Sequence, residues 1–481
     1  MEMKIHKSPL RLYASANAVI TLYLSLPGED RVRHIAARVA AMDEDEARSA
    51  GRTLMNEFGH RHRRLAETFL DHCRITEQRF GLDLLHLPEE KRILLGAFLT
   101  KEYSIQSAAL FNPSIVPHPS QDGLQPGEQR FVMSLRATGE GHISSIVFRS
   151  GTFNHQGEIR LDPSPEIHTR LKKNETAAYG KDFVRERAVI HADFDPAALP
   201  ILPDSFTAGE AMDLIRQEKG PAARASLDIL GEIFDTNYEL EDSSDLALNE
   251  KVIFPSAKGE SMGMEDLRFV KFTDGDRSCY YGTYTAYDGK SIRTQIIETA
   301  DFSVFKARTL FGDAIADKGM ALFPEKVNGK YAMIGRQGGQ NMSIMFSADL
   351  YRWDTYKVLM TPRYSWELLQ LGNCGSPIRT DRGWLLLVHG VGLMRKYVIS
   401  AILLDLDDPA RIVSRLETPF LEAEGAEREG YVPNVVYTCG LLRHAEMLLI
   451  PYAVSDSATG FITVQLNELL DALTAAGNSG E

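Results

Sequence analysis

Five times along this chain an apolar run is followed, after a short polar loop, by a second apolar run. The copies begin at Arg130, Tyr280, Lys330, Gly383 and Met447, and their partners at Ile143, Thr294, Met342, Tyr397 and Phe461. Runs of this length, rich in β-branched and aromatic residues and bounded by turn formers, read as paired strands. The last four copies start about 50–65 residues apart, the spacing of repeated blades. Such a repeat buries each small sheet against its neighbours and predicts an all-β five-bladed β-propeller around a central channel. The longer first interval places an insertion at about residues 155–250, with a helix over 221–234.

Ahead of the repeats the pattern is helical. Val32, Ile35, Val39 and Met42 recur at three- and four-residue spacing, and 43–58 and 61–80 read the same way. Pro88 followed by two acids opens a further helix, as the helix dipole favours. The expected organisation is an added N-terminal α-helical module over 1–107 and a propeller domain over 108–475. The basic cluster of residues 59–64 reads as a solvated helix face or an interface rim.

A formal charge of −13 argues against a general nucleic-acid binder, which would present a basic face, but leaves room for a small basic pocket. Cys73, Cys279, Cys374 and Cys439 are widely spaced and form no metal-ligand pattern, so free thiols in a reducing compartment are expected. The first residues carry neither a small-residue cleavage site nor a long apolar core. These features predict a cytoplasmic protein without membrane attachment, metal or organic cofactor.

Chemistry is most sharply suggested by Gly263-Met-Glu-Asp-Leu-Arg-Phe-Val270, where two acids and an arginine lie against an apolar strand. Charged groups rarely enter apolar surroundings unless paired or functional. Asp266 is therefore the first candidate for catalysis; an Asp266–Arg268 or Glu265–Arg268 pair closing a strand end is the structural alternative. Strand ends of every blade converge on the axis of a propeller, so Arg136, Asp266, Lys318, Arg336 and His389 can meet in one funnel although no local motif joins them. Trp353 and Trp384 read as blade core, and Trp366 as a substrate wall.

Six segments occur in a telling order: Phe111-Asn-Pro; the acidic motif above; Ala321-Leu-Phe-Pro-Glu-Lys-Val-Asn-Gly-Lys-Tyr331; Gly383-Trp-Leu with His389-Gly-Val; Leu403-Leu-Asp-Leu-Asp-Asp-Pro409; and Glu429-Gly-Tyr-Val-Pro-Asn-Val-Val436. In this order they resemble glycoside hydrolase family 130, the β-mannoside phosphorylases and mannosidases on a five-bladed propeller. The likeness runs over about residues 111–470. The resemblance implies that Asp266 is the single catalytic acid, protonating the leaving oxygen directly or through a sugar hydroxyl. It places Arg136, Lys318, Arg336, His389 and Gln370 at phosphate-binding positions, or at water- and sugar-binding positions in members that hydrolyse. Lys318 stands where many phosphorylases carry arginine, Gly319 where they carry asparagine, and Gln370 where lysine is common. Substrate contacts are expected from Glu265, Asp288, Asn373, Tyr397, Glu429 and Asn434. For Asp288 the structural alternative is a turn cap, and for Asn434 a turn closure after Pro433.

An inverting hydrolase needs a second carboxylate to activate water, whereas a phosphorylase holds attacking phosphate with fixed positive charge. The expected function is inverting cleavage of terminal β-D-mannosidic bonds by phosphorolysis to α-D-mannose 1-phosphate, with inorganic phosphate as co-substrate. The alternatives are a β-mannosidase using water and a noncatalytic sugar-binding propeller. The helical module implies self-association, as added modules in such enzymes often serve oligomerisation.

Overall fold

The computed structural model describes residues 3–188, 191, 193–218, 221–241 and 246–478, with side chains throughout except at 221–225 and 477–478. Each of the five run pairs marked by the repeat is a hydrogen-bonded antiparallel pair. Glu128–Thr138 pairs with Ser144–Asn154, Arg277–Tyr287 with Ile292–Thr299, and Tyr331–Gly335 with Met342–Ser347. Trp384–Val391 pairs with Tyr397–Leu404, and Met447–Val454 with Ala458–Gln465. An inner strand precedes each pair: Ala109–Pro117, Gly263–Asp274, Ala321–Leu322, Gln370–Asn373 and Val436–Tyr437. The first two meanders are joined into one sheet by the parallel bridge between Gly263 and Ser144.

Alternation along these strands gives every sheet two apolar faces, and each face packs on the next sheet. Phe148 and Val132 meet Phe269 and Tyr280; Phe272 and Ile296 meet Met333 and Met345. Ile334 and Ile344 meet Leu386 and Trp384, and Leu387 and Ile399 meet Leu448 and Ile462. A fifth cluster returns from the last meander to the first, setting Leu449 and Phe461 against Phe131 and Met133. Trp353 and Trp384 are buried in these inter-sheet layers.

The segment between the first two meanders does more than loop out. Helices Lys181–Ala188, Ala208–Gln217 and Pro221–Thr236 share a core around Val184, Phe206, Ile215 and Leu230. Its strands also join the sheets: Lys251–Ile253 pairs with Ser144–Asn154, and Glu239–Glu241 with Phe305–Thr309.

Four helices, Glu29–Ala41, Glu44–Phe58, Leu65–Phe80 and Glu89–Phe98, lie near the N-terminus around Val32, Val39, Cys73, Leu94 and Leu95. The Asp43 carboxylate caps the second, accepting from the amides of Asp45 and Glu46. The basic cluster forms ion pairs: Arg61 and His62 both reach Glu102, at 2.8 and 2.7 Å, and Arg63 reaches Glu250 at 2.8 Å. It is thus a seam within the protein, not a free solvated face. All four cysteines are unpaired. Among the described residues no helix is long and apolar enough to cross a membrane, and no group of three metal-ligating side chains occurs.

Residues 1–107 are not helical throughout. Val19–Tyr23 pairs with Thr100–Ser104 around the helices. Ile5–Tyr13 runs antiparallel to Ala458–Gln465, so the first strand of the chain completes the last sheet. Leu10 and Leu12 pack onto the cluster joining the last meander to the first, and Lys7 and Arg11 both pair with Glu427 at 2.9 Å. Deleting residues 3–13 is expected to lower unfolding free energy by about 3 kcal/mol, mainly through the lost burial of the two leucines. A urea titration of the truncated protein against the full chain measures this.

Candidate active site

Two β-bulges build the floor of a cavity lined by many charged side chains. Pairing of Ala109–Pro117 with its neighbour shifts register between Phe111 and Ser114, and that of Gly263–Asp274 between Glu265 and Arg268. Within each bulge one residue is left-handed, Asn112 at φ 48° and Asp266 at φ 54°. Asparagine and aspartate tolerate that region better than other non-glycine residues. The two inner strands lie side by side, with the Phe269 amide donating to Ser114 Oγ at 2.9 Å. Gly263, at φ 142°, lets this strand close on Ser144–Asn154: a Cβ there would stand 2.9 Å from the Ser144 amide nitrogen. Asn112 Nδ2 consequently donates to Asp266 Oδ1 at 2.6 Å, across 154 residues of sequence.

Around this pair the cavity, of about 450 Å³, takes side chains from all five meanders. Arg136 donates to Asp266 Oδ1 at 3.3 Å and to Glu265 Oε1 at 2.7 Å, while its Nε donates to Ser144 Oγ. Lys318 Nζ lies 3.5 Å from Glu265 Oε2. Arg268 donates to the Asp266 carbonyl oxygen at 2.7 Å and to the Tyr437 hydroxyl at 2.5 Å. Both ion-pair alternatives read from the sequence are thereby replaced: the acids pair with Arg136, and Arg268 braces the backbone of the bulge.

Arg336, Gln370, His389 and Tyr397 line the cavity as well. The His389 ring is stacked on Tyr397, with centroids 5.9 Å apart and planes at 14°, and meets Tyr437 edge-on. His389 Nδ1 lies 3.2 Å from the Asn373 carbonyl oxygen, so in the neutral ring it donates there and leaves Nε2 as an acceptor. Gly372 is required beneath it, because a Cβ would fall 2.4 Å from the ring.

Five cationic side chains, Arg136, Arg268, Lys318, Arg336 and Arg395, face three carboxylates, Glu265, Asp266 and Asp456. Burial alone would raise the pKa of Asp266, but Arg136, Lys318 and Arg268, with the Asn112 bond, outweigh it and hold the carboxyl well below the usual range. His389 is driven well below the ordinary imidazole value by burial and then by Arg336 and Arg268. Burial, then the charge of Asp266, pushes Asp456 up to about 6.

Asp266, Glu265, Arg136, Lys318, Arg336, Gln370, His389 and Tyr397 thus converge in one cavity. Four other sequence candidates do not line it. Asp288 is half-buried outside the cavity, its carboxylate committed to the amides of Lys290 and Ser291 and the Ser291 hydroxyl; the turn cap is what the structure has. Asn373 is buried one layer out, its amide donating to the Gly319 carbonyl oxygen at 2.5 Å and so holding the Lys318 loop. Glu429 is exposed outside the cavity, and Asn434 accepts from Arg428 Nε at 2.8 Å. Trp366 is no cavity wall either: it stacks on Tyr364 and donates to the Glu417 carbonyl oxygen. Sequence reasoning missed Asn112, Tyr437, Arg395 and Asp456. A signal existed for the last two, which occupy in the fourth and fifth repeats the same inter-strand loop that Arg336 follows in the third.

Comparison with known proteins places this cavity among relatives. The profile of glycoside hydrolase family 130, described as beta-1,4-mannooligosaccharide phosphorylase, matches residues 235–475. A 1,2-beta-oligomannan phosphorylase of Thermoanaerobacter sp. (strain X514) is 33% identical over 229 residues, 47% of this chain and 75% of that protein. A beta-1,2-mannobiose phosphorylase of Listeria innocua is 29% identical over 243 residues, 48% of this chain and 66% of that protein. The solved structure of a Listeria innocua beta-1,2-mannobiose phosphorylase with beta-1,2-mannobiose aligns over 76% of this chain and 92% of its own, at 22% identity and a TM-score of 0.48. By the profile match and the Thermoanaerobacter relative, the chain belongs to glycoside hydrolase family 130.

Proposed function

We propose that this protein cleaves terminal β-D-mannosidic bonds of mannosides and mannooligosaccharides with inversion, by phosphorolysis. The observation that carries this reading is Arg336. Its guanidinium lines the cavity at 7% exposure, its Nε has no hydrogen-bond partner, and among the described residues no carboxylate pairs with it. A buried, unpaired cation is costly unless a ligand supplies the opposite charge. Phosphate fits, with Lys318 beside it and the neutral His389 accepting a proton-bearing phosphate oxygen.

In this mechanism a phosphate oxygen attacks the anomeric carbon from the α face. The bond from that carbon to the leaving oxygen breaks, and its electron pair goes to that oxygen. Asp266 supplies the proton the leaving oxygen takes up, directly or through a mannosyl hydroxyl. The products are α-D-mannose 1-phosphate and a saccharide shorter by one residue. An acid held ionised by three cations must first gain a proton, and phosphate drawn to Lys318 offsets the pull of that lysine on Asp266. Arg136, Asn112 and Asp456 are placed to fix sugar hydroxyls.

The five meanders are proposed as the blades of a five-bladed propeller with the cavity on its axis, a reading supported by five successive inter-sheet cores, the last returning to the first. The proposal extends to a cytoplasmic enzyme without metal or organic cofactor. It includes self-association through the N-terminal helices, where Ile75, Leu85 and Phe98 are exposed. Hydrolysis is the second reading, and Asp456 favours it: a carboxylate in the same cavity, with its pKa near 6, suits a base that activates water.

The deciding experiment incubates purified protein with β-1,2- and β-1,4-mannobiose, with and without phosphate. Mannose 1-phosphate formed only with phosphate is expected; free mannose released at a similar rate without it overturns phosphorolysis. Asp266→Asn is expected to lower kcat about 10³-fold while mannobiose binding persists, read by steady-state kinetics and calorimetry. Arg336→Gln should raise the KM for phosphate about tenfold or more, with the KM for mannobiose little changed. Ionised Asp456 accepts from sugar hydroxyls more strongly than the protonated acid, so kcat/KM for mannobiose should rise through a pH near 6. That inflection should vanish in Asp456→Asn, as a pH–rate profile would show.

A further inference from the structure

Two cations of the cavity, Arg336 and Arg395, have no acid at ion-pair distance among the described residues, and of these Arg395 is the exposed one. Arg395 comes from the tight turn between Trp384–Val391 and Tyr397–Leu404. Among the described residues it has no carboxylate at ion-pair distance and its guanidinium makes no hydrogen bond, although Arg136 and Lys318 in the same cavity both have acid partners. The turn itself is closed by three backbone bonds, among them Gly392 N–H to the Lys396 carbonyl oxygen at 3.1 Å. Its base is clamped by an ion pair of Lys396 with Glu422 at 2.6 Å.

Two consecutive residues of this turn, Met394 and Arg395, are left-handed at φ 55° and 56°. Hairpins place glycine or asparagine at such positions, since a longer side chain strains them. Strain of this kind tends to persist where it orients a functional group. Leu393 and Met394 are 83% and 93% exposed, and Arg395, exposed as well, lines the cavity, where its charge bears on Asp456.

Ring stacking tells which side of the cavity it serves. The Arg395 guanidinium lies 5.5 Å from the centroid of Tyr397, and Tyr397 is stacked on His389. His389 in turn feels the charge of Arg336 and stands beside Gln370. The ladder runs from Arg395 through two rings to the uncharged edge of the Arg336 side, where Gln370 supplies an amide and no charge.

We propose that Arg395 is a cationic arm that grips the phosphate co-substrate from the open side of the cavity, opposite Arg336, and so sets the preference for phosphate over water. This rests on the phosphorolysis reading. The arm is exposed before it binds, and its turn, not its side chain, is what the fold holds rigid.

The test is phosphorolysis of mannobiose at varied phosphate with the wild type, Arg395→Ala, Arg395→Lys and Met394→Gly. Arg395→Ala should raise the KM for phosphate about tenfold, leave that for mannobiose within about twofold, and leave the melting temperature unchanged. Arg395→Lys should recover part of the loss, because it restores charge but not the planar fork. Met394→Gly, which relaxes the turn and keeps Arg395, should leave the charge requirement intact, with a phosphate KM below that of Arg395→Ala. An unchanged phosphate KM in Arg395→Ala, or an equal rise for mannobiose, overturns the proposal. A wild-type enzyme indifferent to phosphate overturns the reading beneath it and the proposal with it, and shows this before any variant is made.

Discussion

The bond from Asn112 to Asp266 spans two bulged strands that belong to different meanders. It forms where the first two meanders join, near the bridge at which Gly263 lets the backbones of Gly263–Asp274 and Ser144–Asn154 close. Once formed, it spends one lone pair of Asp266 and fixes the carboxyl's direction. Arg136 then bridges both acids, and Arg268 holds the carbonyl of the bulge from below. A carboxylate held by this many donors cannot swing away, which suits a group that must meet one oxygen of a substrate.

The balance of charge in the cavity follows from that arrangement. Glu265 and Asp266 absorb the charge of Arg136 and part of that of Lys318, while among the described residues Arg336 and Arg395 have no acid at ion-pair distance, although the charge of Arg395 bears on Asp456. The cavity thus combines acids able to hold sugar hydroxyls with cations able to hold an anion. The outer charge of −13 has no bearing on this, since the excess acids lie elsewhere on a large surface.

Strand pairing was the most legible feature in the sequence, because period-two alternation and turn residues are local signals. All five pairs formed in the expected partnership, with cores between successive sheets. Site residues were legible where they sat in or beside inner strands, as with Asp266 and Gln370, or at the ends of outer ones, as with Arg136 and His389. Asp288 misled because an aspartate followed by Gly-Lys-Ser beside a strand looks the same whether it faces a substrate or caps its own turn. Asn434 and Glu429 misled for a similar reason: proximity in sequence to the inner strand Val436–Tyr437 does not say which side of the turn is wet. Arg395 and Asp456 were hidden by reading motifs one at a time. Only the phase of the repeat, which puts the loops after Gly335, Val391 and Val454 in equivalent places, connects them. The strand Ile5–Tyr13 was illegible because its partner lies some 450 residues away, and nothing in nine residues announces a distant edge.

That strand has a consequence for how the molecule comes into being. Ile5–Tyr13 is synthesised long before its hydrogen-bonding partner, Ala458–Gln465. Until that partner emerges the segment has an open backbone edge and two leucines with no place to go, a template for unwanted pairing with other chains. Completing the last sheet therefore needs a contact between segments some 450 residues apart, and closing so long a loop slows assembly.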